Sequence, residues 1–326
     1  MTTILEKSTK DKMIINNNPL ISIVIPCYNE EGNIEVLYEK IKKAFPSEKL
    51  EYIFVDDNSN DNTLAIIERL TEKDNYVKYV SFSRNFGHQN ALRAGLEYSS
   101  GDCVISMDAD LQHPPEMLQS LVDKWKEGYE VVYTIRKDIA NVSAFKRITS
   151  ALFYKLMNNL SEVEIKQGSA DFRLLDRKVV DVLVHDITEY HLFYRGLISW
   201  IGYKQIGIEY VPDKRFSGKT KYPFNKMLSF AANGITSFSI KPLKFAILLG
   251  TFISFISVLY ALYVLYMALF TDKAVEGWSS VILSVLFIGG IHMILLGIIG
   301  EYIGKLYIQS KKRPYFLIKK TNFENG

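Results

Sequence analysis

The first half of the chain alternates short apolar runs with longer segments in which apolar residues recur every three or four positions. The short runs are rich in β-branched residues and predict strands, whereas the periodic segments predict amphipathic helices. The predicted strands cover residues 21–26, 51–57, 77–83, 103–108 and 130–135, and the predicted helices cover 33–45, 63–71, 89–98 and 115–128. Strands that alternate with helices indicate βαβ units, so we predict an α/β domain with a mostly parallel sheet.

Two long apolar segments lie in the last third of the chain. Residues 245–270 and 281–300 contain no charged side chain, and each is long enough to cross a bilayer, which takes about 20 residues. We therefore predict two transmembrane helices. The residues that flank them on one side are basic: Lys241, Lys244, Lys305, Lys311, Lys312 and Arg313. We expect a plasma-membrane protein, and the positive-inside rule predicts that its N-terminal domain and both termini lie in the cytoplasm.

These patterns divide the chain into five parts. We predict a mobile N-terminal tail (1–18), an α/β domain (19–221), an amphipathic helix (222–242), a two-helix transmembrane region (243–305) and a cytoplasmic C-terminal tail (306–326). The amphipathic helix directly precedes a predicted span, which favours a position at the membrane interface. Packing against the α/β domain is the alternative.

Composition excludes some classes of function. The net charge is only +3, and no long Lys/Arg block stands beside an aromatic platform, which argues against nucleic-acid binding. The two cysteines, Cys27 and Cys103, lie in apolar runs that resemble buried strands. They are too few for a zinc knuckle and are typical of core thiols in a reducing cytosol.

The strongest chemical signal is Asp108-Ala109-Asp110, at the end of a predicted strand. Two carboxylates one residue apart can serve one Mg²⁺ or Mn²⁺ ion that also binds a diphosphate. Alone this motif is weak, because strand ends often carry acidic residues. Here the first two predicted strands also end in polar clusters, at residues 26–31 and 55–61. Ligands of open α/β sheets bind beyond the carboxyl ends of the strands, so we predict that these loops form one site.

Together these residues resemble the family-2 glycosyltransferases with a GT-A fold. The closer likeness is to the branch that includes dolichol-phosphate mannose synthases and bacterial bactoprenol glucosyltransferases. The likeness to the bacterial enzymes covers about residues 20–316, including both apolar segments. It rests on linked motifs: Pro26-Cys27-Tyr28-Asn29-Glu30, Val55-Asp56-Asp57-Asn58-Ser59, Ser83-Arg84-Asn85-Phe86-Gly87, Asp108-Ala109-Asp110-Leu111-Gln112-His113-Pro114, Asp171-Phe172-Arg173 and Gly300-Glu301-Tyr302-Ile303-Gly304-Lys305. The resemblance implies a Rossmann-like GT-A catalytic domain with two C-terminal transmembrane helices.

The resemblance also implies roles for individual residues. The nucleoside of a nucleotide sugar would be held by Pro26, Tyr28, Glu30, Val55 and Asp57. Asp108, Asp110 and Gln112 would surround Mg²⁺ or Mn²⁺ and the diphosphate, and Ala109 would contact them through its backbone. Arg215 and Lys221 match a basic pair that binds phosphate when its loop closes. The alternative for this pair is a basic patch that faces anionic lipids.

Asp171 matches an acidic position on the acceptor side of the bacterial enzymes. It would orient the acceptor or a cation, and the alternative is a structural ion pair with Arg173. Ser169-Ala170 stands where relatives usually carry Thr-Gly, a change that we interpret as tolerable. Residues 189–193 lack the Arg and Asn that relatives often carry where the acceptor approaches.

The implied reaction is inverting transfer of a hexose from a UDP-sugar, with UDP-glucose favoured, to undecaprenyl or another polyprenyl phosphate. The product would be a lipid-linked donor for cell-envelope glycosylation. UDP-N-acetylglucosamine and other hexose donors are compatible, and a homo-oligomer is left open. One alternative is a processive polysaccharide synthase, but those usually carry Gln-x-x-Arg-Trp, and here no Trp follows an Arg. The other is a catalytically silent nucleotide-sugar sensor, which the intact acidic motifs disfavour.

Overall fold

A computed structural model describes residues 18–46, 49–137, 168–190, 192–211, 239–270 and 277–324. Residues 1–17 of the predicted tail, residues 222–238 of the predicted interfacial helix, Arg215 and Lys221 lie outside the described residues. The chain forms two compact units. The first comprises Met1–Tyr154, Val163–Pro223 and Pro314–Gly326, and the second comprises Lys155–Glu162 and Phe224–Arg313.

The first unit is built on an eight-stranded sheet with the order β7-β5-β6-β4-β1-β2-β3-β8. Its strands are β1 (Leu20–Cys27), β2 (Lys49–Asp56), β3 (Val77–Phe82), β4 (Cys103–Ser106), β5 (Val131–Arg136), β6 (Ser169–Asp176), β7 (Gln205–Tyr210) and β8 (Ile318–Thr321). Strands β3, β2, β1 and β4 run parallel, whereas β6 lies antiparallel between β4 and β5. The predicted α/β class and its mostly parallel sheet are confirmed.

Helices connect the strands of this unit; the first four lie where the apolar periodicity predicts them, whereas the two within residues 177–200 were not predicted. The helices are α1 (Ile34–Ala44), α2 (Thr63–Lys73), α3 (His88–Tyr98), α4 (Met117–Lys126), α5 (Arg177–Asp181) and α6 (Tyr194–Trp200), and a π-helical turn (Val182–Asp186) follows α5 directly. In α1 the buried residues are Ile34, Leu37, Tyr38 and Ile41. Their spacing of three or four positions places them on one face, against the sheet.

The core of this unit lies around β1, the central strand. Apart from Leu20, every residue of β1 is buried, since helices cover both faces of a parallel sheet. Cys27 and Cys103 are buried free thiols, which confirms their predicted place in the core. Helix α3 packs closely on β1: a Cβ added to Gly95 would lie 2.1 Å from Cγ1 of Val24. Glycine therefore permits the approach that fixes the position of α3 beside the site.

The second unit contains two long apolar helices, α7 (Lys241–Phe270) and α8 (Trp278–Ser310). Their most apolar stretches, Lys241–Tyr260 and Phe287–Ser310, have mean hydropathies of 2.0 and 1.6. Large apolar side chains such as those of Phe252 and Ile294 are exposed. By length and composition both helices can cross a membrane, which supports membrane association. The direction in which they would cross stays a prediction.

The C-terminal segment, residues 314–324, adds a strand that the sequence pattern does not predict. Strand β8 pairs antiparallel with β3, with Val80 opposite Thr321. The N–H of Ser83 donates to the carbonyl oxygen of Leu317 at 2.9 Å, and Phe316 stacks on Phe82 with ring centroids 5.0 Å apart. The strand is short and half of it is lysine. Its sequence therefore lacks the apolar alternation from which a strand can be predicted.

Candidate active site

The site begins where the carboxyl ends of β1, β2 and β4 lie side by side. Pro26 pairs with Val55 and Cys27 with Asp56 in the parallel register of β1 and β2, and β4 pairs with β1 on the other side. Loops that leave parallel strands at their carboxyl ends meet at one edge of the sheet. The structure therefore brings together the three polar loops on which the predicted site depends.

The loops after β1 and β2 bind each other through a network of hydrogen bonds. The N–H of Asn29 donates to Oγ of Ser59 at 3.0 Å, and Oδ1 of Asn29 accepts from the N–H of Asn60 at 2.8 Å. The N–H of Glu30 donates to Oγ1 of Thr63 at 2.8 Å. Beside this network the Tyr28 side chain is 43% exposed, which leaves its ring accessible to a flat ligand such as a nucleobase.

Asp57 is buried and binds the loop that precedes α3. Its carboxylate oxygens accept from the N–H groups of Phe86 at 2.6 Å and Gly87 at 2.9 Å. Burial raises the pKa of Asp57, although these two hydrogen bonds oppose the shift. Gly87 has a φ of 94°, in the left-handed region that favours glycine. Asp57 thus joins the loops after β2 and β3, a bracing role that the sequence does not predict.

Asp108 lies between two histidines. Its Oδ1 is 2.9 Å from Nε2 of His88, the first residue of α3, and its N–H donates to Nδ1 of His113 at 3.1 Å. Burial alone would raise the pKa of Asp108, but the His88 hydrogen bond and the charges of both histidines outweigh it and hold the pKa well below its usual range. Burial alone would lower the pKa of His88, but Asp108 raises it to about 9. His88 was not predicted; its sequence signal is its position directly after the Ser83–Gly87 motif.

His113 supports this arrangement from inside the protein. It is buried, and its ring stacks on Phe172 with centroids 4.9 Å apart. The acceptor nitrogen Nδ1 faces the backbone of Asp108, so the ring holds the turn that follows β4. This contact with the strand end gives His113 a structural function in the site.

The remaining residues of the acidic motif form a tight turn. Leu111 has a φ of 61°, and Oδ1 of Asp110 accepts from the N–H of Gln112 at 3.1 Å. Oε1 of Gln112 accepts from Nη1 of Arg136 at 3.4 Å. Ala109 is buried at the centre of the turn. The Asp110 carboxylate and the Gln112 amide therefore lie two positions apart on the same turn.

The donor set fits a divalent cation only if a substrate contributes ligands. In the part of the chain that the structure describes, no group of three or more His, Cys, Asp or Glu side chains is arranged to hold a metal ion. Asp108 and Asp110 do supply two hard carboxylate donors. Mg²⁺ is commonly bound through one or two carboxylates, with phosphate and water completing the shell. These residues thus suit an ion that binds together with a diphosphate.

Asp171 forms a second charged group beside the first. Nε and Nη2 of Arg195 donate to its two carboxylate oxygens at 3.0 and 2.9 Å, and Nη2 of the buried Arg173 lies 3.3 Å from Oδ1. Burial alone would raise the pKa of Asp171, but the two guanidinium charges lower it. The hydroxyl of Ser106, two residues before Asp108, donates to the carbonyl oxygen of Asp171, so the two charged groups lie beside each other at one site. The ion pair with Arg173 was among the predicted alternatives, whereas Arg195 was missed.

Comparisons with known proteins extend over most of the chain. Residues 22–184 match the model of glycosyl transferase family 2, and residues 241–306 match that of the GtrB C-terminal hairpin. The uncharacterized glycosyltransferase YkcC of Bacillus subtilis is 45% identical over 92% of this chain and 93% of its own length. The prophage bactoprenol glucosyl transferase homolog of Escherichia coli is 39% identical over 92% of this chain and 99% of its own length.

A solved structure gives a more distant likeness. Glucosyl-3-phosphoglycerate synthase from Mycobacterium tuberculosis, in complex with Mn²⁺, UDP and phosphoglyceric acid, superposes with a TM-score of 0.45 at 20% identity. The match covers 67% of this chain and 76% of that one. The family assignment therefore rests on the sequence relatives and the two family models.

Proposed function

The chain belongs to glycosyl transferase family 2, and from that membership we propose that it transfers a hexose from a UDP-sugar to a polyprenyl phosphate. The observation that carries the proposal is likeness over nearly the whole chain to relatives named bactoprenol glucosyl transferase, such as that of Shigella phage SfV, 40% identical over 92% of this chain. The match includes the C-terminal hairpin. UDP-glucose is the favoured donor, and undecaprenyl phosphate the favoured acceptor.

We assign the nucleoside to the loops after β1 and β2. Pro26, Tyr28, Glu30, Val55 and Asp57 form this group. The exposed ring of Tyr28 supports stacking on a base, and the hydrogen bonds between the two loops support a preorganised surface. A rigid surface lowers the entropic cost of binding.

Asp108, Asp110 and Gln112 would hold Mg²⁺ or Mn²⁺ against the diphosphate, with the backbone of Ala109 beside it. When bound, the ion would supply positive charge that stabilises the leaving diphosphate. The chain's own contribution is to fix the direction of Asp108, through His88 on one carboxylate oxygen and His113 on its backbone. Oriented ligands of this kind strengthen a metal site.

The acceptor would meet the site at Asp171 and Arg195. A phosphate monoester is largely dianionic at neutral pH, because its second pKa is about 6, so its oxygen needs no strong base. In the proposed step this oxygen forms a bond to the anomeric carbon while the bond from that carbon to the diphosphate breaks, and the nucleoside diphosphate leaves with its electron pair. Attack opposite the leaving group inverts the anomeric configuration. The pairing of Asp171 with two arginines supports orientation of the acceptor by this residue.

The remaining assignments complete the proposal. Arg215 and Lys221 would close over the phosphates. The catalytic domain would extend over 19–221, with the transmembrane region at 243–305, and β8 joins the sheet from the C-terminal tail. The basic residues that flank both apolar helices support a catalytic domain on the cytoplasmic face of the plasma membrane.

The test is a transfer assay with purified full-length protein. It would be incubated with undecaprenyl phosphate, Mg²⁺ and a panel of labelled UDP-hexoses, and the lipid fraction analysed by mass spectrometry. We expect one lipid-phosphate-hexose product, with inverted anomeric configuration by NMR. A polymeric product would instead support a processive synthase. Donor binding without any transfer or hydrolysis would support a sensor.

A further inference from the structure

Arg93 of α3 is a buried cation that lies outside the site described above. It is 5% exposed. Its Nη1 donates to the carbonyl oxygens of Leu183 at 2.9 Å and Ile187 at 3.0 Å, and its Nη2 donates to that of Val184 at 2.5 Å. Nε has no hydrogen-bond partner in the described structure, although Oε2 of Glu97 lies 4.0 Å away.

These carbonyl groups belong to the π-helical turn Val182–Asp186 and the residue that follows it. The last carbonyl groups of a helical turn lack partners within it and carry partial negative charge. A buried guanidinium can donate to several of them at once. Arg93 therefore closes the turn and fixes the point at which the chain leaves it, at Ile187.

From Ile187 the chain leads directly to Arg195. The N–H of Tyr194 donates to Oε1 of Gln89 at 3.2 Å, and the Tyr194 side chain is fully buried. Helix α3 thus contacts the chain at Ile187, through Arg93, and again at Tyr194, through Gln89. The next residue, Arg195, binds Asp171.

The C-terminal segment packs against Arg93 and Tyr190 through Tyr315. The ring of Tyr315 lies over the guanidinium of Arg93, 4.4 Å from its centroid to Cζ. The same ring stacks on Tyr190, with centroids 6.3 Å apart and an interplanar angle of 18°. Two residues later the chain pairs with the loop after β3, through the hydrogen bond from Ser83 to Leu317. Tyr315 is therefore held in place and contacts both Arg93 and Tyr190.

We propose that Tyr315 and Arg93 are positioning residues for the acceptor side of the site. The C-terminal segment holds Arg93 and Tyr190 through the ring of Tyr315, and this fixes Ile187 and Tyr190 and, through them, the approach of Arg195 to Asp171. The expected effect on acceptor binding rests on the proposed function. The expected effect on the local stability of the chain around Tyr190 does not depend on it.

The direct test is hydrogen–deuterium exchange on the full-length protein. Tyr315→Leu removes the aromatic face and should make amides within 187–197 exchange roughly tenfold faster, equivalent to about 1.4 kcal/mol of local stability. Tyr315→Phe keeps the face and should exchange like the unmodified protein. The matched control is Phe323→Leu, since Phe323 contacts Tyr98 and lies in the same C-terminal segment. It should leave exchange in 187–197 unchanged.

Kinetics then test the link to the acceptor. Tyr315→Leu should raise KM for undecaprenyl phosphate several-fold and leave KM for the UDP-sugar unchanged, with Tyr315→Phe and Phe323→Leu like the unmodified enzyme. If Tyr315→Leu does not fold, Arg93→Lys replaces it as the test variant, because lysine keeps a buried cation but loses the planar fork. Amides within 187–197 should then exchange faster in Arg93→Lys, as predicted for Tyr315→Leu. Unchanged exchange in the folded variants would overturn the proposal, and so would an equal effect of Phe323→Leu. If the protein shows no transfer activity at all, the hydrogen–deuterium exchange result alone decides whether Tyr315 positions this part of the chain.

Discussion

Arg195 binds Asp171 through both carboxylate oxygens, with Nε 3.0 Å from Oδ1 and Nη2 2.9 Å from Oδ2. The two residues are 24 positions apart in sequence, on β6 and α6. A carboxylate whose oxygens are occupied and whose pKa is lowered is a weak proton acceptor. The pair therefore suits a reaction in which the nucleophile is already an anion and needs orientation.

Arg195→Lys should raise KM for undecaprenyl phosphate by roughly tenfold or more, because a hydrogen bond to a charged group contributes about 1.5–3 kcal/mol and lysine lacks the planar fork. KM for the donor should change little. Steady-state kinetics with each substrate varied in turn would measure both constants. Arg69→Lys, on the exposed face of α2, is the matched control and should be neutral. Equal loss of affinity for both substrates would contradict the assignment to the acceptor.

Asp110→Asn should lower kcat by roughly 100-fold or more, since it removes one of two carboxylates assigned to an ion that contributes several kcal/mol. Thermal unfolding should be unchanged, because Asp110 is only half-buried. Asp123→Asn, on the exposed face of α4, is the control. Chelation with EDTA should abolish activity, and added Mg²⁺ or Mn²⁺ should restore it. Full activity in EDTA would refute the metal assignment.

Asp57→Asn should destabilise the protein by about 1–3 kcal/mol, because its amide group would face one of the two backbone N–H donors and leave it without an acceptor. The donor KM should rise as well, since Asp57 belongs to the group assigned to the nucleoside and braces its loop, after β2, against the loop after β3. Urea denaturation and donor titration measure the two effects. Asp102→Asn, at an exposed acceptor of the Leu20 N–H where β1 begins, should leave the donor KM unchanged. Normal stability and donor affinity in Asp57→Asn would count against the bracing role.

Lys221→Ala should lower turnover more than it weakens membrane association, and Arg215→Ala should raise the donor KM and lower kcat. The reason is that the diphosphate and the lipid phosphate repel each other unless cations lie around them. The assay would compare vesicles with and without enriched anionic lipid. Recovery of the full rate in anionic vesicles would assign both residues to membrane attachment and remove them from the catalytic group.

A reporter fused after Gly326 should be active only in the cytoplasm, as the basic residues around the apolar helices predict. Cysteine accessibility in intact cells would give a second measurement at the N-terminal domain. Detection of either the reporter or the Asp108 loop from outside the cell would contradict the predicted orientation.

The sequence by itself determined the elements that local patterns encode. The first five strands and the helices between them follow from runs and periodicities within about ten residues. The meeting of the Glu30, Asp57 and Asp108 loops follows as well, because parallel strands send their carboxyl ends to one edge. The two apolar helices follow from length and hydropathy alone.

Only the tertiary structure decided which distant groups meet. Strand β8 is short and half-charged, and the Thr321 hydroxyl donates to the carbonyl oxygen of Tyr79, which lies 242 positions earlier in the chain. Arg195 is one arginine among many in the sequence until β6 and α6 place it on Asp171. Arg93 lies 90 positions from Leu183, whose carbonyl group it binds. Charge and residue type state what a side chain can bind, but its partner depends on long-range packing, which no local pattern contains.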